Sequence, residues 1–255
     1  MSAGFVCKPT EPRRHGFTLV ELLVVIGIIA LLAALLTPAV MRSLTKARNS
    51  AIKNEVDLLH MALMNYQSEY GAFPPCADPL FTSGSYTNGG PSAKHLRRLF
   101  PRCADAAFQL NNTNKPGSPV RMSPTSSPIL WLSGFTTNPV SPLVPGPARV
   151  KLFEFDKARI TAEPVTYYPS GSKGSPYVYF DSASYGTPQS PNTFTDDASN
   201  VYSPETAVFT SGTEFFNATT FQILCAGRDG KWGSDDDVSN FWQGTRREYQ
   251  DRLKN

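Results

Sequence analysis

The stretch FTLVELLVVIGIIALLAALL, residues 17–36, decides the fold. It is apolar except at Thr18 and Glu21. Coiled as a helix, twenty such residues rise about 30 Å, the thickness of a bilayer's hydrocarbon core. Arg13 and Arg14 precede the run, so its start should stay on the cytoplasmic side, with the bulk of the chain across the membrane. A secretory signal peptide also opens on basic residues and an apolar run. Here, however, the run is long for that purpose and Thr37-Pro38-Ala39 is a poor cleavage site. A plain single-pass anchor leaves Glu21 unexplained, because a carboxylate in a lipid-facing helix is costly unless it has a task.

The helical pattern continues past Leu36. Pro38 removes one backbone hydrogen bond and is expected to kink the helix. Beyond it Val40, Leu44, Ala47, Ala51, Val56, Leu59, Leu63, Tyr66 and Tyr70 recur at three- and four-residue spacing, while Arg42, Lys46, Arg48, Lys53, Glu55 and Glu69 fall largely elsewhere. That is an amphipathic helix with one apolar stripe. Gly71 and then Pro74-Pro75 should stop it, giving one helix from about Phe17 to Tyr70, roughly 80 Å long. A coiled-coil stalk has the same periodicity.

Arg13-Arg14-His15-Gly16-Phe17-Thr18-Leu19-Val20-Glu21 resembles the type IV prepilin signal, and Pro38 also stands where that family has one. The resemblance implies that a prepilin peptidase cuts after Gly16 and methylates the new N-terminus at Phe17. The apolar helix is then retained. Glu21, one turn from the freed amine, would attract the N-terminus of a neighbouring subunit during assembly. In a dry filament core such a pair fixes register more than it adds energy.

Between Pro74 and Pro147 the chain is dense in Pro, Ser, Thr, Asn and Gly. Ala93–Phe100 reads as a short helix ended by Pro101. Residues 128–135 (PILWLSGF) read as an apolar helical island with Trp131 in the core. Thr136–Pro147 reads as an ordered loop or linker. In the C-terminal part, Lys151–Ile160 alternates apolar and polar residues, and 176–181 (PYVYFD) and 221–224 (FQIL) are short apolar runs bounded by turn residues. These predict antiparallel strands lying on the amphipathic helix, an α+β head. The expected organisation is a leader over 1–16, a transmembrane and filament-core helix over 17–38 and the amphipathic half over 39–73. A loop-rich insertion over 74–150 and a β-sheet head over 151–255 follow.

After FQIL comes AGRDGKWGSDDDVSNFW, residues 226–242. It lacks the alternating acids and closing Glu of an EF-hand and the spacing of a P-loop. It is similar to the C-terminal calcium loop of type II secretion major pseudopilins. That resemblance implies carboxylates from Asp229, Asp236 and Asp237, with Asp235 as a substitute or outer partner, and backbone carbonyls of Leu224 or Trp232 around a structural calcium. Crowded carboxylates repel unless a hard cation joins them. A solvated acidic turn, neutralised by Arg228 and Lys231, accounts for the same residues.

Composition narrows the function. The formal net charge is +3, and two of those charges lie within the first sixteen residues, so no basic nucleic-acid footprint remains. Four cysteines leave three after a cut at Gly16, which permits a Cys76–Cys103 bridge or three buried thiols. His60 and His95 sit in no catalytic spacing and no hydrolase or zinc-protease motif appears, so no enzyme is expected. The resemblance then implies a structural pseudopilin, assembled with other pseudopilin subunits by an inner-membrane platform. It would be single-pass in the inner membrane's lipid bilayer first, with its head in the periplasm, and later part of an envelope filament. A type IV pilin for adhesion, motility or DNA uptake is the alternative within the class. A membrane-anchored extracytoplasmic binding domain that never polymerises is the alternative outside it.

Overall fold

The computed structural model describes residues 18–77, 90–103, 111–112, 115–119, 122–143, 149–162, 165–171, 174–187, 189–195, 199–209 and 212–254. The chain is α+β: a long N-terminal helix and a set of small antiparallel sheets. It divides into two compact units, Met1–Lys46 and Ala47–Asn255.

Helix α1 spans Leu19–Tyr70 without interruption, Pro38 included. It ends where glycine permits: Gly71 has φ +76° and its N–H donates to the Gln67 carbonyl at 2.7 Å. In the first unit its large side chains, from Leu19 to Leu44, are exposed all round, and a stretch of it is long and apolar enough to cross a membrane. Water is no solvent for such a surface, so lipid or protein must cover it.

In the second unit one face of α1 is buried through Ile52, Val56, Leu59, Ala62, Leu63 and Tyr66. The central sheet has three strands. Phe221–Cys225 lies in the middle, antiparallel to Val178–Asp181 on one side and Val238–Ser239 on the other. Every residue of the middle strand is buried. Its one polar member, Gln222, is fully paired. Its Nε2 donates to the carbonyls of Glu205 (2.9 Å) and Phe216 (2.8 Å), and its Oε1 accepts from the Glu205 amide (2.8 Å). The surrounding ladders have two strands each, among them the hairpins Ile160–Ala162 with Val165–Tyr167 and Thr206–Phe209 with Gly212–Phe215.

Two short helices fill the core's flank. Helix α2 (Pro91–Leu99) turns Ala93, His95 and Leu96 inward, and α3 (Ser127–Leu132) buries Trp131 completely. The Trp131 indole N–H donates to the Pro75 carbonyl at 3.0 Å. Both helices were expected from the sequence. Helix α4 (Arg246–Leu253) opens on a capping box in which Thr245 and Glu248 exchange hydrogen bonds.

Lys151–Ile160 differs from expectation. Residues 151–156 are irregular, Lys157–Arg159 forms a 3₁₀ turn capped by Asp156, and a strand begins only at Ile160. The reason is where the backbone donors go. The N–H groups of Leu152 and Phe153 both bond the Leu132 carbonyl at the end of α3, at 3.0 and 3.2 Å, instead of entering a ladder. Cys76 and Cys225 are free, buried thiols, so the Cys76–Cys103 bridge is not formed. Cys7 lies outside the described residues.

Helix and head are tied together at Glu55. Its carboxylate accepts hydrogen bonds from the Tyr167 and Tyr177 hydroxyls, both at 2.6 Å, and pairs in fork fashion with the Arg159 guanidinium, one arm at 2.8 Å. Arg159 also stands over the Tyr167 ring, 4.6 Å from its centroid.

Candidate functional site

The first candidate is the start of α1. Gly16 and Phe17, the expected cleavage and methylation positions, lie outside the described residues. Glu21 is described and exposed. Its Oε2 accepts from the Thr18 amide at 2.9 Å and from the Thr18 hydroxyl at 2.7 Å, while the Glu21 amide lies 3.2 Å from that hydroxyl. Thr18 is therefore the N-cap and Glu21 the third helical residue of a capping box. The Thr-x-x-Glu spacing carries this signal, which sequence reasoning passed over in favour of the carboxylate's charge. The arrangement holds a negative charge at the helix's positive end, in the first turn.

The second candidate is the acidic loop between the strands Phe221–Cys225 and Val238–Ser239. Gly227, Gly230 and Gly233 all have positive φ, at +58°, +68° and +81°. At Gly227 the requirement is steric as well: a Cβ there would stand 2.3 Å from the Asp236 carbonyl oxygen. The turns aim three carboxylates at one atom. The Ser234 hydroxyl lies 3.2 Å from Asp229 Oδ1, 2.7 Å from Asp236 Oδ1 and 3.2 Å from Asp237 Oδ1. A hydroxyl donates a single hydrogen, so it cannot satisfy all three.

Each acid has further partners. Asp236 Oδ2 accepts from the amides of Arg228 (2.7 Å) and Asp229 (3.2 Å). Burial pushes its carboxyl upward, but Ser234 and these amides outweigh that and hold it below the usual range. Asp237 is 3 % exposed. Desolvation raises its carboxyl to about 6, against the Gly233 amide at 2.8 Å, the Ser234 hydroxyl and the Arg246 guanidinium 3.7 Å away. Asp229 accepts from the Lys231 amide at 2.8 Å.

Asp235 does not join the group, since it faces Arg247 at 3.5 Å on the surface. Leu224 sits within the central strand, in register with Val178 and Ser239. Trp232 is exposed in the loop, its ring edge-on to Tyr202 at 5.7 Å. Among the described residues no three His, Cys, Asp or Glu side chains close on a point as a finished metal cage. The acids meet at Ser234, a residue the sequence reading did not single out.

Residues 12–37 match the family described as the prokaryotic N-terminal methylation motif. Over 86 residues the chain is 31 % identical to "Type II secretion system core protein G" of Pseudomonas aeruginosa. That alignment covers 34 % of this chain and 61 % of the relative. No solved structure matches. The chain thus carries a prokaryotic N-terminal methylation motif that leads into an exposed apolar helix with an α+β head, and over part of its length it is similar to a type II secretion core protein.

Proposed function

We propose that this chain is a structural subunit of a type II secretion pseudopilus, a filament that moves proteins across the outer membrane. A prepilin peptidase would cut it after Gly16 and methylate Phe17. The subunit would wait as a single-pass protein of the inner membrane with its head in the periplasm, and then stack with other pseudopilins on an inner-membrane platform. Its role is structural rather than catalytic. The carrying observation is the similarity to core protein G, which supports the secretion reading. Deleting the gene tests this. Loss of exoprotein secretion with surface piliation intact is expected, and the reverse pattern would assign the chain to a pilus.

For the acidic loop we propose a structural calcium. Its support is the donor set: three carboxylate oxygens gathered round one hydroxyl in a loop whose turns depend on glycine. Asp229, Asp236 and Asp237 would hold the ion, with carbonyls of Leu224 or Trp232 as further oxygens and Asp235 left outside. A hard cation suits oxygen ligands in a flexible loop and supplies charge neutralisation, not chemistry.

A further inference from the structure

The first turn of α4 docks on the acidic loop. The Arg246 amide donates to the Asp237 carbonyl at 2.8 Å and the Arg247 amide to the Asp235 carbonyl at 3.0 Å, while Thr245, the cap of the helix, pairs with Val238. These bonds fix where two adjacent arginine side chains begin, and the side chains then part. Arg247 stays at the surface on Asp235, the two side chains 68 % and 69 % exposed. Arg246 turns inward. Its Nη1 lies 3.7 Å from Asp237 Oδ2 and 3.9 Å from Glu205 Oε1. The same atom stands over the loop's turn at Gly233, 3.6 Å from where a Cβ would be.

Two carboxylates therefore share one guanidinium, at the edge of the group that also gathers Asp229 and Asp236. Glu205 is held in place, because Gln222 bonds both its amide and its carbonyl. The Asp237 side chain is 5 % exposed, so water does little to screen a charge set beside it. A carboxylate so buried needs a counter-charge, and a side chain of the same molecule supplies one.

We propose that Arg246 is the resident cation of the acidic loop and sets its affinity for calcium: it neutralises Asp237 and Glu205 when no ion is bound, and it opposes a dication among the acids. The inference rests on the calcium reading of the loop and adds to it the residue that limits binding. Asp237 Oδ1 faces Ser234 and the other acids, while Oδ2 faces Arg246 and the Gly233 amide. An ion among the acids and the guanidinium would draw on the same negative charge, and in a site with little water they would repel each other. The sign of the effect separates this role from simple support. Losing a supporting contact loosens the loop and weakens binding, whereas losing a competing charge tightens it.

The test uses the full chain in detergent and calcium chloride as the ion. Arg246→Met removes the charge and keeps a long stem against the Trp242 ring, over which the guanidinium now stands at 5.8 Å. Arg246→Lys keeps the charge, and Arg252→Gln, whose arginine bonds Gln243 instead of the loop, is the control. Calcium titration by calorimetry and thermal melting in chelator are measured for each. Arg246→Met should melt lower in chelator yet bind calcium roughly fivefold or more tightly than wild type. Arg246→Lys should restore most of the wild-type affinity, and Arg252→Gln should leave it unchanged. If wild type binds and Arg246→Met binds equally or less tightly, the role of Arg246 is overturned and the calcium reading stands. If only Arg246→Met binds, the role is upheld and the calcium reading of the native chain fails. Binding by neither overturns both. Should Arg246→Met not fold in chelator, recovery of its melting transition by calcium replaces the titration. Recovery below the wild-type dissociation constant supports the role, and recovery only above it, or none, overturns it.

Discussion

Glu55 and Arg159 lie 104 residues apart in sequence and form a fork-shaped ion pair that joins the long helix to the head. Neither side chain is free to swing, since Tyr167 and Tyr177 donate to the same carboxylate. Burial pushes the Glu55 carboxyl up, but Arg159 and the two tyrosines overcome it and leave it below the usual value. Removing one partner strands the other in a half-buried site. Glu55→Ala should therefore cost about 2–4 kcal/mol, somewhat less than a fully buried pair because both groups retain some exposure. A double-mutant cycle with Arg159→Ala, followed by urea melts in detergent, should give a coupling above about 1 kcal/mol, and additive effects would contradict the tie.

Glu21 caps its own helix, and under the filament proposal it has a second, separable job of presenting charge to a neighbour. Glutamine keeps the capping acceptor and loses the charge. Glu21→Gln should preserve helix content by circular dichroism yet lower filament yield by about tenfold or more, if the charge fixes register. Thr18→Ala should do the opposite, fraying the first turn while filaments still form. Equal effects from both variants would reduce Glu21 to a cap.

Under the calcium proposal the acidic loop should respond to metal as well as to backbone strain. Calcium at a hundred times its dissociation constant should stabilise the head by about 2.7 kcal/mol, and a chelator should reverse that. Asp236→Asn should abolish the response. An unchanged melting temperature with and without chelator would leave the loop as a hydrogen-bonded turn around Ser234. Gly227→Ala should destabilise the head by about 1–3 kcal/mol with or without calcium, because a Cβ there meets the Asp236 carbonyl and the backbone is left-handed.

Acid should weaken the head through His95. Its Nε2 lies 2.8 Å from the Tyr66 hydroxyl, with the Trp131 ring against it. Burial, helped by the nearby Arg98 charge, lowers its pKa from 6.5 to about 4. The unfolded chain then binds a proton below pH 6.5 that the folded chain refuses until about pH 4, so stability falls as pH drops through that window. The loss amounts to at most about 3 kcal/mol. His95→Gln should flatten that slope in urea melts taken between pH 7 and 4. An unchanged slope would show that other groups carry it.

How far the sequence reveals this molecule depends on the range of each interaction. The span and end of α1 and the cap at Gly71 follow from local periodicity and from glycine and proline. Phe221–Cys225 is legible because a doubly covered strand is a continuous apolar run. Lys151–Asp156 misleads, since alternation describes burial and its backbone donors are taken by Leu132, distant in sequence. The Glu55 network is invisible for the same reason. Helix α4 was legible and missed, because Thr245 and Glu248 spell a capping box in a stretch with little apolar content. In the acidic loop the turns follow from glycine spacing, and the grouping of Asp229, Asp236 and Asp237 is what the resemblance to the pseudopilin calcium loop implies. That Asp235 turns to Arg247, and that Ser234 sits at the centre, depends on side-chain directions that spacing does not carry.

Mass spectrometry of the mature protein purified from its own host tests the central claim most directly. A chain whose first residue is Phe17, carrying one N-terminal methyl group, is the result this account predicts. A chain that still begins at Met1, or one that begins beyond residue 36 with the apolar helix gone, would contradict it.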